Sequence, residues 1–204
     1  MKDGLAWLIF IVDRSGSMCG IASEMEEAIG KTLRDQEKNY EGTIFVTLAL
    51  FDDEYELVFK NKPISDVDRV ALQPRGMTAL LDGVGKTVTT IKEAYDSLEE
   101  NEKPERVLFF IVSDGGENSS TEYTYNSIGE LKATLEKEYE WNFSFIGTDE
   151  AMGEGERMGV ASSGTLNYVA SSDGIQNMTR AMSSYATQYL KKGVASYTDN
   201  EENE

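Results

Sequence analysis

The stretch "FIVDRSGSMCG", residues 10–20, decides how this chain is read. An apolar run stops at Asp13, and Ser15 and Ser17 follow on either side of Gly16. One reading is a polar loop that caps a helix, because Asp and Ser are common turn starters and caps. The other is one third of a metal site. Fully extended, Asp13 and Ser17 would stand roughly 13 Å apart at about 3.3 Å per residue. Oxygens on a single Mg²⁺, each about 2.1 Å from it, are at most about 4 Å apart. The chain must curl for them to converge, and Gly16 sits where a curl meets least steric resistance.

Working outward, the run that Asp13 ends is "LAWLIFIV", residues 5–12, and "RVLFFIV" at 106–112 ends the same way, in Ser113–Asp114. Neither alternates, which predicts strands covered on both faces, as in a parallel sheet. "TIFVTLALF" at 43–51 and "YELVF" at 55–59 flank the acidic joint Asp52–Asp53–Glu54, predicting a hairpin and one antiparallel edge strand. "WNFSFIG" at 141–147 and "TLNYVA" at 165–170 read as two more strands.

Helical spacing fills the gaps. It appears in Ile21, Met25, Ile29 and Leu33, in Leu80, Val84, Val88, Ile91, Tyr95 and Leu98, and in Ile175, Met178, Met182, Tyr185 and Tyr189. A further helix is expected over 125–139, capped by Thr124 or Ser127, with Glu130 closing a capping box on Ser127. Strands alternating with helices predict an α/β fold: a doubly wound, mostly parallel sheet with one antiparallel edge strand and helices on both faces. One domain is expected over 1–190, followed by a polar acidic tail, 191–204, that frays.

Composition narrows the function. With 19 basic and 37 acidic residues the net charge is −18, which repels nucleic acid and anionic membrane and excludes them as main partners. No run is long enough to span a bilayer. The opening "MKDGLAWLIFIVD" imitates a signal peptide, but it carries acidic Asp3 and ends in Asp13 rather than a small-residue cleavage site. The single cysteine, Cys19, forms no internal disulfide, which points to a reducing, cytoplasmic setting. Cys19 is expected to be a small buried residue opening the first helix. The chain has no histidine, so the usual zinc ligand and any Ser-His-Asp arrangement are absent.

"DRSGS" at 13–17 resembles the Asp-x-Ser-x-Ser signature of von Willebrand factor A domains, which carry a metal-ion-dependent adhesion site (MIDAS). "RGMTALLDG" at 75–83 resembles that family's Gly-x-Thr-x-Leu loop, and "FIVSDGGENSS" at 110–120 resembles its strand-end Asp-Gly element. The match covers most of residues 5–190, with stand-alone bacterial and phage members among the relatives. Gly116 stands where such relatives often have an acidic residue.

The resemblance implies metal ligands Asp13, Ser15, Ser17, Thr78 and Asp114, with Gly16 and Gly76 shaping the loops and Ser113 behind them. Two carboxylates neutralise a divalent ion and three hydroxyls add oxygen without charge, leaving the ion electrophilic. Mg²⁺ is the expected ion, with Mn²⁺ or Ca²⁺ as alternatives. The implied function is protein binding, in which a partner's Asp or Glu carboxylate completes the coordination shell, with no enzymatic activity. Thr78 is also expected to cap the helix that follows. Met18 and Met77 read either as a partner rim or as core, Arg14 and Arg75 either as part of that rim or as plain exposed charge, and Asp82 as support for the metal loop or, more simply, as a solvated helix position.

The alternative is a metal-assisted hydrolase or phosphotransferase on small phosphoesters, which needs a base or nucleophile beside the ion that the sequence does not offer. "GVGKT" at 83–87 imitates a phosphate loop but lacks the first glycine, since position 80 is Leu80.

Overall fold

The computed structural model describes residues 1–198. Strand β1 (Lys2–Asp13) leads through a short 3₁₀ turn, Gly16–Gly20, into helix α1 (Ala22–Asn39). Then come β2 (Thr43–Phe51), β3 (Tyr55–Pro63), α2 (Leu80–Asp96), β4 (Pro104–Ser113) and α3 (Tyr125–Tyr139). The chain ends with β5 (Asn142–Gly147), α4 (Met152–Arg157), β6 (Thr165–Asn167) and α5 (Ser172–Lys192).

The sheet order is β3-β2-β1-β4-β5-β6. All neighbours are parallel except β2 and β3, which form the expected antiparallel edge. The missing alternation in the two apolar runs now has its cause. Leu8, Phe10 and Val12 of β1, with Leu108, Phe110 and Val112 of β4, join the core layer under α1 and α5. Trp7, Ile9, Ile11, Phe109 and Ile111, from the same strands, face the layer under α2 and α3. Every position from Ala6 to Val12 and from Val107 to Val112 is interior to one layer or the other.

Three local expectations are corrected. α3 is capped by Thr124, whose box partner is Ser127 at the third helical position and not Glu130. Cys19 is exposed and lies in the 3₁₀ turn. The tail does not fray from Lys191. Tyr197 is buried, donates its amide N–H to Ser163 O at 2.9 Å, pairs its hydroxyl with Ser144 at 2.7 Å and stacks on Tyr185. Residues 199–204, the rest of that tail, lie outside the described residues. No helix among the described residues is long and apolar enough to cross a membrane.

Candidate metal centre

In open α/β sheets the crevice for ligands opens at the carboxyl ends of the strands, where the winding direction reverses. Here that point lies between β1 and β4, the neighbouring strands that Asp13 and Ser113 terminate. Asp13 is fully buried. Its Oδ1 accepts the Ser15 amide at 2.7 Å and its Oδ2 accepts the Ser113 hydroxyl at 2.6 Å. Ser113 therefore orients the carboxylate from behind. Ser15 Oγ lies 3.1 Å from Ser17 Oγ, and Ser17 Oγ donates to Asp114 Oδ1 at 2.7 Å. A Cβ added at Gly115 would stand 3.9 Å from Ser17 Oγ and 4.0 Å from Thr78 Oγ1. All three motifs thus meet around one small space.

Burial dominates the electrostatics of the two carboxylates. Burial raises the Asp13 carboxyl to about 6, against hydrogen bonds from Ser113 and Ser15 that pull it down, and Asp114 adds a little. Burial also raises Asp114. A carboxyl raised on folding favours the folded state in acid, and that contribution is lost as pH rises through about 6. Ionised Asp13 therefore weighs against the fold at neutral pH, a cost that a bound cation would offset. The donor set fits a hard ion: carboxylate and hydroxyl oxygens only. Among the described residues no three His, Cys, Asp or Glu side chains cluster as a metal site.

The loops are held by residues whose role was not read from the sequence. Asp52, fully buried at the end of β2, accepts Arg14 Nε and Arg75 Nε on the same oxygen, Oδ2, each at 2.8 Å. Arg14 Nη1 also pairs with Glu56. Backbone bonds run alongside: Arg75 N to Arg14 O at 2.8 Å, Gly16 N to Gly76 O at 3.2 Å and Ala79 N to Asp52 O at 2.8 Å. One hairpin turn thereby clamps the first two motif loops together. The third loop grips the second. Thr78 N donates to Asn118 Oδ1 at 3.0 Å, Leu81 N to Glu117 Oε2 at 2.9 Å, and Asp82 accepts the amides of Thr121, Glu122 and Tyr123 at 2.9 Å each.

These contacts correct several expectations. Arg14 and Met18 are buried and do not belong to a rim, whereas Arg75 and Met77 are exposed. Thr78 does not cap α2, whose N-cap is Ala79 with no side-chain bond; Glu117 satisfies part of that helix end instead. Asp82 is buried. Gly16 has no positive φ; of the two loop glycines it is Gly76, at φ +69°, whose conformation requires glycine, and a Cβ there would meet Asp53 Oδ1 at 1.7 Å. At Gly116 a Cβ would lie 3.3 Å from Glu154 Oε1, so a carboxylate stands beside that position. Tyr125 and Arg157 hold that carboxylate.

The six-stranded order with its single antiparallel edge is the von Willebrand factor A fold. Proximal thread matrix protein 1 from the mussel byssus, with a zinc-occupied MIDAS motif, aligns at TM-score 0.65 and 18% identity over 90% of this chain and 46% of its own. The pilus adhesin SpaC from Lactobacillus rhamnosus GG, in its open conformation, aligns at TM-score 0.64 and 12% identity, over 93% of this chain and 30% of its own. A von Willebrand factor type A structure from Catenulispora acidiphila gives 0.59 at 12%, over 91% and 43%. At these identities the likeness is one of fold, and this chain spans less than half the length of each. No family model and no curated protein sequence matches the chain.

Proposed function

We propose that this chain is a divalent-cation-dependent protein-binding module without enzymatic activity, in which Asp13, Ser15, Ser17, Thr78 and Asp114 hold Mg²⁺. The observation that carries this reading is the continuous chain of contacts from Asp13 through Ser15 and Ser17 to Asp114 at the β1–β4 crevice. When bound, the ion supplies an electrophilic position for a partner's Asp or Glu carboxylate. The protein's own part is to fix the oxygens. Ser113 orients Asp13, Asp52 ties the Arg14 and Arg75 segments together, and Asn118 and Glu117 hold the Thr78 loop.

Exposed Met77 and Arg75 flank the site as partner contacts, an apolar point beside a cation. The mussel structure with zinc in its MIDAS motif and the pilus adhesin on the same fold support metal use and protein contact. The exposed free thiol of Cys19 fits a reducing, cytoplasmic setting.

The test is thermal melting with Mg²⁺ or Mn²⁺ titrated in. An ion at about 100 times its dissociation constant stabilises the fold by about 2.7 kcal/mol. Wild type should shift and Asp13→Ala should not; equal behaviour of the two overturns the metal site. Affinity capture in Mg²⁺ and in chelator then separates ion-dependent partners from others, and identical capture overturns metal-mediated binding.

A further inference from the structure

The residue that follows the last strand carries an unanswered hydroxyl. Tyr168 is 4% exposed, and its Oη is buried with no hydrogen-bond partner among the described residues. A buried hydroxyl left unpaired is costly, so a fold that keeps one calls for a reason. Of the four other buried orphan atoms among the described residues, Thr32 Oγ1 is on α1, Ser119 Oγ is in the loop after β4, and Arg106 Nε and Trp141 Nε1 belong to residues where β4 and β5 begin. Tyr168 is at the opposite end, where strands finish.

Register places it beside the metal centre. Ser113 pairs with Gly147, and Gly147 pairs with Asn167. Asp114, Thr148 and Tyr168 are therefore the next residues on three adjacent strands. They are joined: Tyr168 N donates to Gly147 O at 2.9 Å, and Thr148 Oγ1 donates to Asp114 O at 2.7 Å. The ring lies in the same core layer as Val12, Val112 and Ile146, which sit just before those strand ends. Burial raises the Tyr168 phenol, and the two charges that raise it further are Asp114 and Asp13. The phenol thus keeps its proton, and the carboxylates that act on it are the two implied ligands.

We infer that Tyr168 is a positioning residue of the metal centre, its hydroxyl oxygen accepting a hydrogen bond from water in the hydration shell of an ion held by Asp13 and Asp114. The inference rests on the metal-binding reading above. Mg²⁺ sheds water reluctantly and keeps several waters when bound; their oxygens face the ion and their protons point outward, so a hydroxyl oxygen at the edge of the site gains a donor in the loaded state. Groups in this outer position typically change metal affinity 10–100-fold.

The experiment compares wild type, Tyr168→Phe and Tyr197→Phe in calorimetric Mg²⁺ titration, in metal-free melting and in tyrosine difference absorbance on adding Mg²⁺. Tyr168→Phe should weaken Mg²⁺ about tenfold or more and remove a tyrosine difference signal. Its metal-free melting temperature should not fall, because the lost hydroxyl has no protein partner. Tyr197→Phe loses the bond to Ser144, so it should melt lower at unchanged Mg²⁺ affinity. If Tyr168→Phe binds Mg²⁺ as wild type does, the positioning role is overturned while the metal centre stands. If wild type itself binds no ion, both fall together.

Discussion

Ser17 Oγ donates to Asp114 Oδ1 at 2.7 Å, joining the first and third motifs across 97 residues. The bond is exposed, so its net contribution to stability is at most about 1 kcal/mol. Its use is to bring two implied ligands within reach of one ion. Ser17→Ala should therefore melt within a few degrees of wild type without metal, yet bind Mg²⁺ at least tenfold more weakly in calorimetric titration. Unchanged affinity would remove Ser17 from the ligand set.

The clamp on Asp52 gives a contrast between two single substitutions. Asp52→Ala strands the buried Arg14 guanidinium, and breaking a buried pair costs about 3–5 kcal/mol. Glu56 still holds Arg14 Nη1, so the low end, about 3 kcal/mol, is expected in urea unfolding. Arg75→Ala removes a side chain that is 54% exposed and should cost under about 1 kcal/mol. If the two variants unfold alike, the Arg14–Asp52 pair does not organise the loops.

Asp82 sets an acid limit. Burial tends to raise its carboxyl, but the amides of Thr121, Tyr123 and Glu122 outweigh that and hold it below the ordinary Asp value. A carboxyl lowered on folding stabilises the fold above its unfolded value, near pH 4, and loses that contribution as pH falls through the folded value. Asp82→Asn should therefore be less stable than wild type at pH 7, and the gap should narrow as melting is followed down toward pH 2. A gap that is constant across that range would show that the charge at Asp82 is not involved.

The two motif-loop glycines should respond differently to a methyl group. Gly76→Ala forces an L residue to φ +69° and should cost about 1–2 kcal/mol in metal-free unfolding. Gly16→Ala meets only Gly76 O at 3.5 Å, an ordinary contact, and should cost less. The reverse order would contradict the loop geometry.

What was legible in the sequence were the features that need few partners. Asp13 and Asp114 announce themselves as carboxylates ending apolar strands, and Leu8, Phe10 and Val12 show a doubly covered strand by refusing to alternate. What was illegible depends on residues far away. Arg14 reads as a surface charge until Asp52 and Glu56, 38 and 42 positions on, are seen to surround it. Asp82 reads as solvated until the loop at 121–123 folds its amides over it. Thr78 looks like a cap because local spacing cannot show that Glu117 already serves that helix end. Tyr168 has no local mark at all: a Tyr one residue past a short strand becomes informative only when its hydroxyl proves to be alone.

The packing of Tyr197 gives the module a polarity. Its amide bonds to Ser163 O, just before β6 begins, while Lys2 N bonds to Lys103 O, just before β4 begins. Both described termini are thus stitched to the edge where the parallel strands start, and Asp13 and Asp114 stand where they finish. A tether at either terminus would pull from the rear and leave the carboxylate face turned outward.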